Sequence, residues 1–301
     1  MATAGIAPGV IIGLREGVEA ALVVGIILGY LVKINRSGLR RYVYGGTVAA
    51  FFASAGLAGA LFLLGAEFTG PAEAAFEGFA LILAVVVLTS MVFWMMKASK
   101  SLSVHVEKRI DSYLDSSQLF GLVILSFLVV FREGVETALL MFGAGAETSA
   151  ADATLGVGIG LLIAGVIGVG IMRLSWRIPL HRFFQITGVA LVVIGAGLFA
   201  TGIGELQEAF GWAFGSGLVY DLSAVFSSGP ENPLGYLLRG VVGYSDAPTI
   251  LESIAYAAYW ILTVVVYLGI RSGKITVVTD PLRKLWRSLA PRRADLPRQT
   301  P

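Results

Sequence analysis

Long apolar stretches recur along the chain between short polar connections. Seven of them run for about 20 residues or more: 6–32, 42–65, 76–96, 119–142, 153–173, 183–204 and 249–270. About 20 apolar residues in a helix suffice to cross the hydrocarbon of a bilayer. None of the runs alternates with the period of two that a membrane strand would show, and a helix satisfies its own backbone hydrogen bonds in lipid. The pattern predicts an all-α polytopic membrane protein with seven transmembrane helices.

Basic residues are sorted to one side of these spans. Lys33, Arg36, Arg40 and Arg41 follow the first run, Lys97, Lys100, Lys108 and Arg109 the third, and Arg173, Arg177 and Arg182 the fifth. The tail carries Arg271, Lys274, Arg283, Lys284, Arg287, Arg292, Arg293 and Arg298, so 19 of the 22 Lys and Arg residues share one side. Cytoplasmic loops concentrate such charge, which places the N-terminus outside and the tail inside. An even number of spans would break the alternation. Of the remaining three bases, only Arg239 falls on the outer side. The outer connections are acidic instead: Glu67, Glu73, Glu77, Glu147, Asp152, Glu205, Glu208, Asp221, Glu231, Asp246 and Glu252. Such a rim would concentrate cations at the mouth of a pathway.

Three further expectations concern the connections. Residues 98–117 read as a short surface helix. The outer segment 205–248, with Trp212, Phe214, Tyr220, Leu222, Val225 and Phe226, reads as a piece at the membrane interface or folded over the bundle. Residues 274–301, basic and carrying Trp286, read as a lipid-surface tail. The permease domain is then 1–273, with spans 6–96 and 119–204 as its two halves, followed by the outer loop and the seventh helix, 249–270. Residues 1–10 show no basic leader and no cleavage site, so the first span is expected to stay.

Composition agrees: 56% of residues are hydrophobic and 14% charged, with a mean hydropathy of +0.81, where a soluble domain carries about 25% charged residues. Cysteine is absent, which excludes disulfides and thiolate metal ligands. No phosphate-binding loop is present, since the string from Gly269 to Ile275 has the wrong glycine spacing. No nucleic-acid partner is expected.

The chemistry sits in a pentapeptide written twice inside apolar runs, Arg15-Glu16-Gly17-Val18-Glu19 and Arg132-Glu133-Gly134-Val135-Glu136. Charges there are costly and read as functional. At about 100° per residue the three charged side chains of each copy share one wedge of the helix. Gly17 and Gly134 leave room for close approach of a helix or an ion. The copies are three spans apart, so they run in opposite directions. With the echo of Gly78-Phe79-Ala80-Leu81 in Gly188-Val189-Ala190-Leu191, this predicts a 3+3 inverted repeat plus a seventh helix. Four glutamates and two arginines brought together suit a hard cation that prefers carboxylate oxygen. The arginines would keep the acids ionised and oriented. His105 and His181 fall in inner loops, and the six methionines form no paired motif, which leaves no soft-metal box in the spans and disfavours Cu(I). A purely structural reading, with each arginine and glutamate forming a helix-packing salt bridge, competes with this one. Glu77, Glu205 and Glu208 are further candidate metal ligands, extending the pathway outward. Gly156 with Gly160 and Gly165 with Gly168 read as helix-packing positions.

With its Arg-Glu-x-x-Glu motifs in the first and fourth spans, the sequence resembles the oxidase-dependent iron permeases, fungal high-affinity and bacterial ferrous. Further similarity lies at Glu77-Gly78, Phe93-Trp94-Met95, Gly204 to Glu208, Asp221-Leu222-Ser223 and Leu237 to Tyr244. The resemblance implies iron translocation into the cytoplasm across the cell membrane, with Glu16, Glu19, Glu133 and Glu136 as transient iron ligands and no permanently bound cofactor. It also implies partners outside the membrane, an oxidase or peroxidase and an iron-binding protein. The residues alone stop earlier, at a hard-cation transporter. They leave open manganese or magnesium as cargo, or an integral-membrane metalloenzyme.

Overall fold

The computed structural model describes residues 5–98, 120–174 and 180–272, with the side chains of 94–98 and 172–181 excepted. The expectations for 98–117, for the tail and for His105 therefore lie outside what is described, whereas His181, expected in an inner loop, falls in the first turn of the helix Leu180–Phe210. Eight α-helices are described: α1 Ala7–Lys33, α2 Arg40–Glu67, α3 Pro71–Ala98, α4 Phe120–Glu147, α5 Ala150–Leu174, α6 Leu180–Phe210, α7 Pro233–Val242 and α8 Ile250–Arg271. No strand occurs among the described residues; one isolated bridge pairs Leu218 with Thr249.

The helix ends follow from local chemistry. Pro8 opens α1, where its missing N–H costs nothing. Asn35 closes the helix with φ 58°, a left-handed conformation that asparagine tolerates. Thr249 and Glu252 form a reciprocal capping box on α8, with Glu252 N–H donating to Thr249 Oγ1 (3.2 Å) and Thr249 N–H to Glu252 Oε2 (2.8 Å). Glu252, expected as a free acid of the outer rim, is thus a helix cap.

Several helices overrun the spans expected from apolar runs. The segment expected to be loop from 205 is helical to Phe210, so Glu205 and Glu208 stand one turn apart at the end of α6. Helix α4 likewise continues past Phe142 to Glu147. Among the described residues, five helical segments are long and apolar enough to cross a membrane, Ser37–Glu67, Pro71–Phe93, Ala150–Ile171, Arg182–Phe210 and Ile250–Arg271. The other two long helices, α1 and α4, have 27 and 28 residues and carry the two motifs.

Three helix pairs make the most extensive interfaces, α1 with α5, α2 with α4, and α3 with α6. The first is a seam of small residues. A methyl group placed on Gly9 would meet Ala153 and Val157, one on Gly17 would meet Leu161 and Ala164, and one on Gly168 would meet Ala21. The numbers rise together, so α1 and α5 are parallel. Gly156 and Gly160 share this seam as expected, whereas Gly165 has open space beside it. Helices α2 and α4 are also parallel, with Gly46 against Ser126, Ser54 against Gly134, and Phe62 against Gly145. Helices α3 and α6 are antiparallel: Gly78 lies by Leu206, Gly202 by Leu81, and Gly188 by Val92.

The outer segment folds back on the bundle. Val219 N–H donates to Pro248 O, and Leu222 N–H to Asp246 O. Helix α7 then seats Gly240 against Pro8 and Thr148, so it covers the ends of α1 and α4. Of the two sequence-derived alternatives for this segment, folding over the bundle is the one seen for α7.

Candidate metal-ion site

The two motifs face each other where α1 crosses α4. Arg15, Glu16, Glu19, Glu133 and Glu136 are all buried, Arg15 and Glu16 to 1% exposure. One wedge of α1 does carry all three charges: Arg15 Nη1 donates to Glu16 Oε1 at 2.7 Å, and Arg15 Nη2 lies 3.1 Å from Glu19 Oε1. On α4, Arg132 Nε donates to Glu136 Oε1 at 3.0 Å.

One oxygen each of Glu16, Glu19 and Glu133 lie within 4.8 Å of one another. Glu136 stays with its own arginine. The expected set of four is therefore seen as a trio with the fourth acid nearby. Within the trio and its neighbour, Glu16 Oε2, Glu133 Oε2 and Glu136 Oε2 are buried without a hydrogen-bond partner. Buried oxygens of this kind are costly unless something satisfies them. A small cation with bonds of about 2.1 Å would do so after modest side-chain rotation.

The two copies of the motif differ in their surroundings. Arg15 is sealed, whereas the Arg132 side chain is 47% exposed. The glycines inside the motifs serve helix contact. A methyl group on Gly17 would meet α5, and one on Gly134 would strike the Ser54 side chain of α2.

The iron permease FTR1 family matches residues 8–280. The ferrous iron permease EfeU of Yersinia pestis is 35% identical over 257 residues, covering 84% of this chain and 90% of its own. That of Escherichia coli O6:H1 is 33% identical over 257 residues, covering 85% and 92%. The chain belongs to the iron permease FTR1 family. No solved structure matches it. With five helices able to cross a bilayer, this family member is a multi-pass protein of the cell membrane.

The remaining candidates of this permease lie toward the end of the bundle where Phe210 closes α6. Glu205, half-buried, and Glu208, exposed, line a cavity of about 370 Å³ with Gln207, Thr249 and Glu252. Glu77 is half-buried on α3. None of the three joins the central trio. Two residues escaped the sequence reading. Glu147, expected as a loop acid, is buried at the end of α4, where Thr201 Oγ1 donates to its Oε1 and Arg239 Nε to its Oε2 at 3.5 Å. The lone outer base is thereby explained. The second is Met91 of α3, whose Sδ accepts from Arg15 Nη1 at 3.1 Å. Only tertiary packing brings it there, and no sequence spacing could have signalled it.

Outside the spans, the outer segment holds its own acids. The Ser228 backbone N–H donates to Asp246 Oδ2 at 2.9 Å, and that bond holds the Asp246 carboxyl below the ordinary aspartate value. The hydroxyl and N–H of Ser223 do the same for Asp221.

Proposed function

We propose that this protein is an iron permease that carries iron ions across the cytoplasmic membrane into the cell, with Glu16, Glu19 and Glu133 as transient ligands. The reading rests on one observation, three buried carboxylates converging from two crossing helices with oxygens left unsatisfied. Family membership directs it to iron and to transport rather than to enzyme chemistry. Glu136 is a fourth ligand held in reserve by Arg132, and Glu77, Glu205 and Glu208 form an outer relay toward the trio.

We also infer seven spans, α1–α6 and α8, with the N-terminus outside, and an inverted repeat relating α1–α3 to α4–α6. Exchanging α1 with α4 and α2 with α5 turns the α1–α5 interface into the α2–α4 interface, and both are parallel. The same exchange turns the α3–α6 pair into itself, which requires the antiparallel arrangement found. Gly17 against α5 and Gly134 against α2 obey the same rule. Sites of such transporters lie at the repeat interface. An oxidising partner would act at the outer end, beneath which the acids lie.

The test is ferrous or ferric uptake into liposomes holding the purified protein, with Glu16→Gln and Glu133→Gln beside the parent. Both variants should reach the membrane and lose at least ten-fold in initial rate. Uptake at the parent's rate in both would end the proposal.

A further inference from the structure

The guanidinium of Arg15 turns one of its nitrogens, Nη1, to two acceptors of very different quality. Arg15 Nη1 donates to Glu16 Oε1 at 2.7 Å and to Met91 Sδ at 3.1 Å, so the sulfur and that oxygen lie within about 6 Å of each other. A thioether is a weak acceptor and gives little to a buried arginine. Leucine would fill the same space, and glutamine would bond the guanidinium better. What the sulfur offers in place of either is softness.

Met91 is 3% exposed and comes from α3, a helix outside the motif pair. The carboxylate trio is hard and by itself suits magnesium, calcium and manganese as well as iron. Discrimination among these needs a donor of another kind. Methionine turns about three single bonds, so its sulfur can swing from the guanidinium toward an ion among the carboxylates. An arriving cation competes with Arg15 for Glu16 and loosens the hold on Sδ at the same step.

We propose that Met91 is a specificity-determining residue, lending its sulfur to the transported ion and biasing the carboxylate site toward iron and other borderline or soft ions, against magnesium and calcium. The proposal rests on the permease reading above and adds a donor of different chemistry to its site.

Two divalent ions that do not change oxidation state serve as probes, Cd²⁺ (soft) and Mn²⁺ (hard), titrated calorimetrically into the detergent-purified full chain. The parent should bind Cd²⁺ more tightly than Mn²⁺. Met91→Leu, of similar volume, should weaken Cd²⁺ about ten-fold and leave Mn²⁺ within two-fold; ten-fold corresponds to about 1.4 kcal/mol. In liposomes the same variant should raise KM for ferrous iron more than it lowers kcat, and magnesium should become a stronger competitor. Met141→Leu, a buried methionine elsewhere on α4, controls for packing and should leave the Cd²⁺ to Mn²⁺ ratio unchanged. A second measurement needs no substitution. In selenomethionine-labelled parent protein, X-ray absorption at the selenium edge should show cadmium bonded to selenium. Equal loss of both ions in Met91→Leu, an unchanged ratio, or no cadmium beside selenium overturns the role of Met91 while leaving the carboxylate site standing. A parent that binds neither ion overturns the site itself and the permease reading with it.

Discussion

Replacing Arg15 by methionine should cost far more than the same change at Arg132, although the two pentapeptides are identical in sequence. Arg15 is 1% exposed and makes two ion pairs, 2.7 Å to Glu16 and 3.1 Å to Glu19, whose side chains are 1% and 9% exposed. Removing it leaves two buried acids without their counter-charge, a situation that destabilises by about 3–5 kcal/mol. Arg132 pairs with Glu136 at 3.0 Å and has 47% of its side chain exposed. The loss there falls between the exposed and buried limits, at about 1–2 kcal/mol. Thermal unfolding of the purified protein, followed by tryptophan fluorescence, reads the difference. The triple variant Arg15→Met, Glu16→Gln, Glu19→Gln should recover most of the lost stability while taking up no iron, because it removes charge and counter-charge together. Equal destabilisation by the two single substitutions would refute the assigned burial asymmetry. A triple variant that transports iron would refute the ligand role of α1.

Gly13→Ala should destabilise by about 1–3 kcal/mol, the usual cost of overpacking, because its new methyl carbon would lie 2.9 Å from Val157 Cα; Gly29→Ala, with open space around it, is the control and should not lower the unfolding temperature. The outer segment should loosen in acid. Asp246 is held below its ordinary value, so its stabilising contribution is present above the unfolded aspartate value near 3.9 and is lost as pH falls through the lower folded value. Hydrogen exchange in residues 211–248 should rise over that range in the parent, and Asp246→Asn should reduce that pH dependence, most at Ser228, whose N–H donates to Asp246. Arg239→Ala should strand Glu147, 4% exposed, and lower the unfolding temperature, while Arg239→Gln with Glu147→Gln should restore it; a double variant as unstable as the single would show that the pair is not what links α7 to α4.

Much of this site could be read before folding, because its signal is local. Charges inside apolar runs stand out against their neighbours, and helical geometry fixes Arg15, Glu16 and Glu19 to one wedge whatever surrounds them. Direction also follows from counting spans. Element ends were less legible. Gly143 to Ala146 and Gly202 to Gln207 mix small, polar and apolar residues, so hydropathy fades there while the helix continues, and the pattern places Glu147 and Glu205 in loops for that reason. What depends on tertiary contact left no trace in the sequence. Identical pentapeptides could not reveal that Arg15 is sealed and Arg132 half-open, nor that Glu136 stands apart from the trio. Met91 lies 76 residues from the arginine it touches, and its neighbours in sequence carry no hint of that contact.

The same geometry bears on how an ion could pass rather than lodge. Two ionised carboxylates no more than 4.8 Å apart repel by about 3 kcal/mol or more at an effective dielectric of 20, and three such pairs make a strong attraction for a divalent cation. Left alone, that attraction would favour retention, and a transporter must also let go. On the proposed reading, Arg15 would work against retention by holding oxygens of Glu16 and Glu19, so an arriving ion would exchange with a guanidinium instead of filling an empty cage. On the ion's departure the arginine would return to the same oxygens and supply part of the free energy of release. A resident metal site gains nothing from a buried competitor of this kind, whereas a transit site needs one, and the burial of Arg15 among its acids is the feature that separates the two.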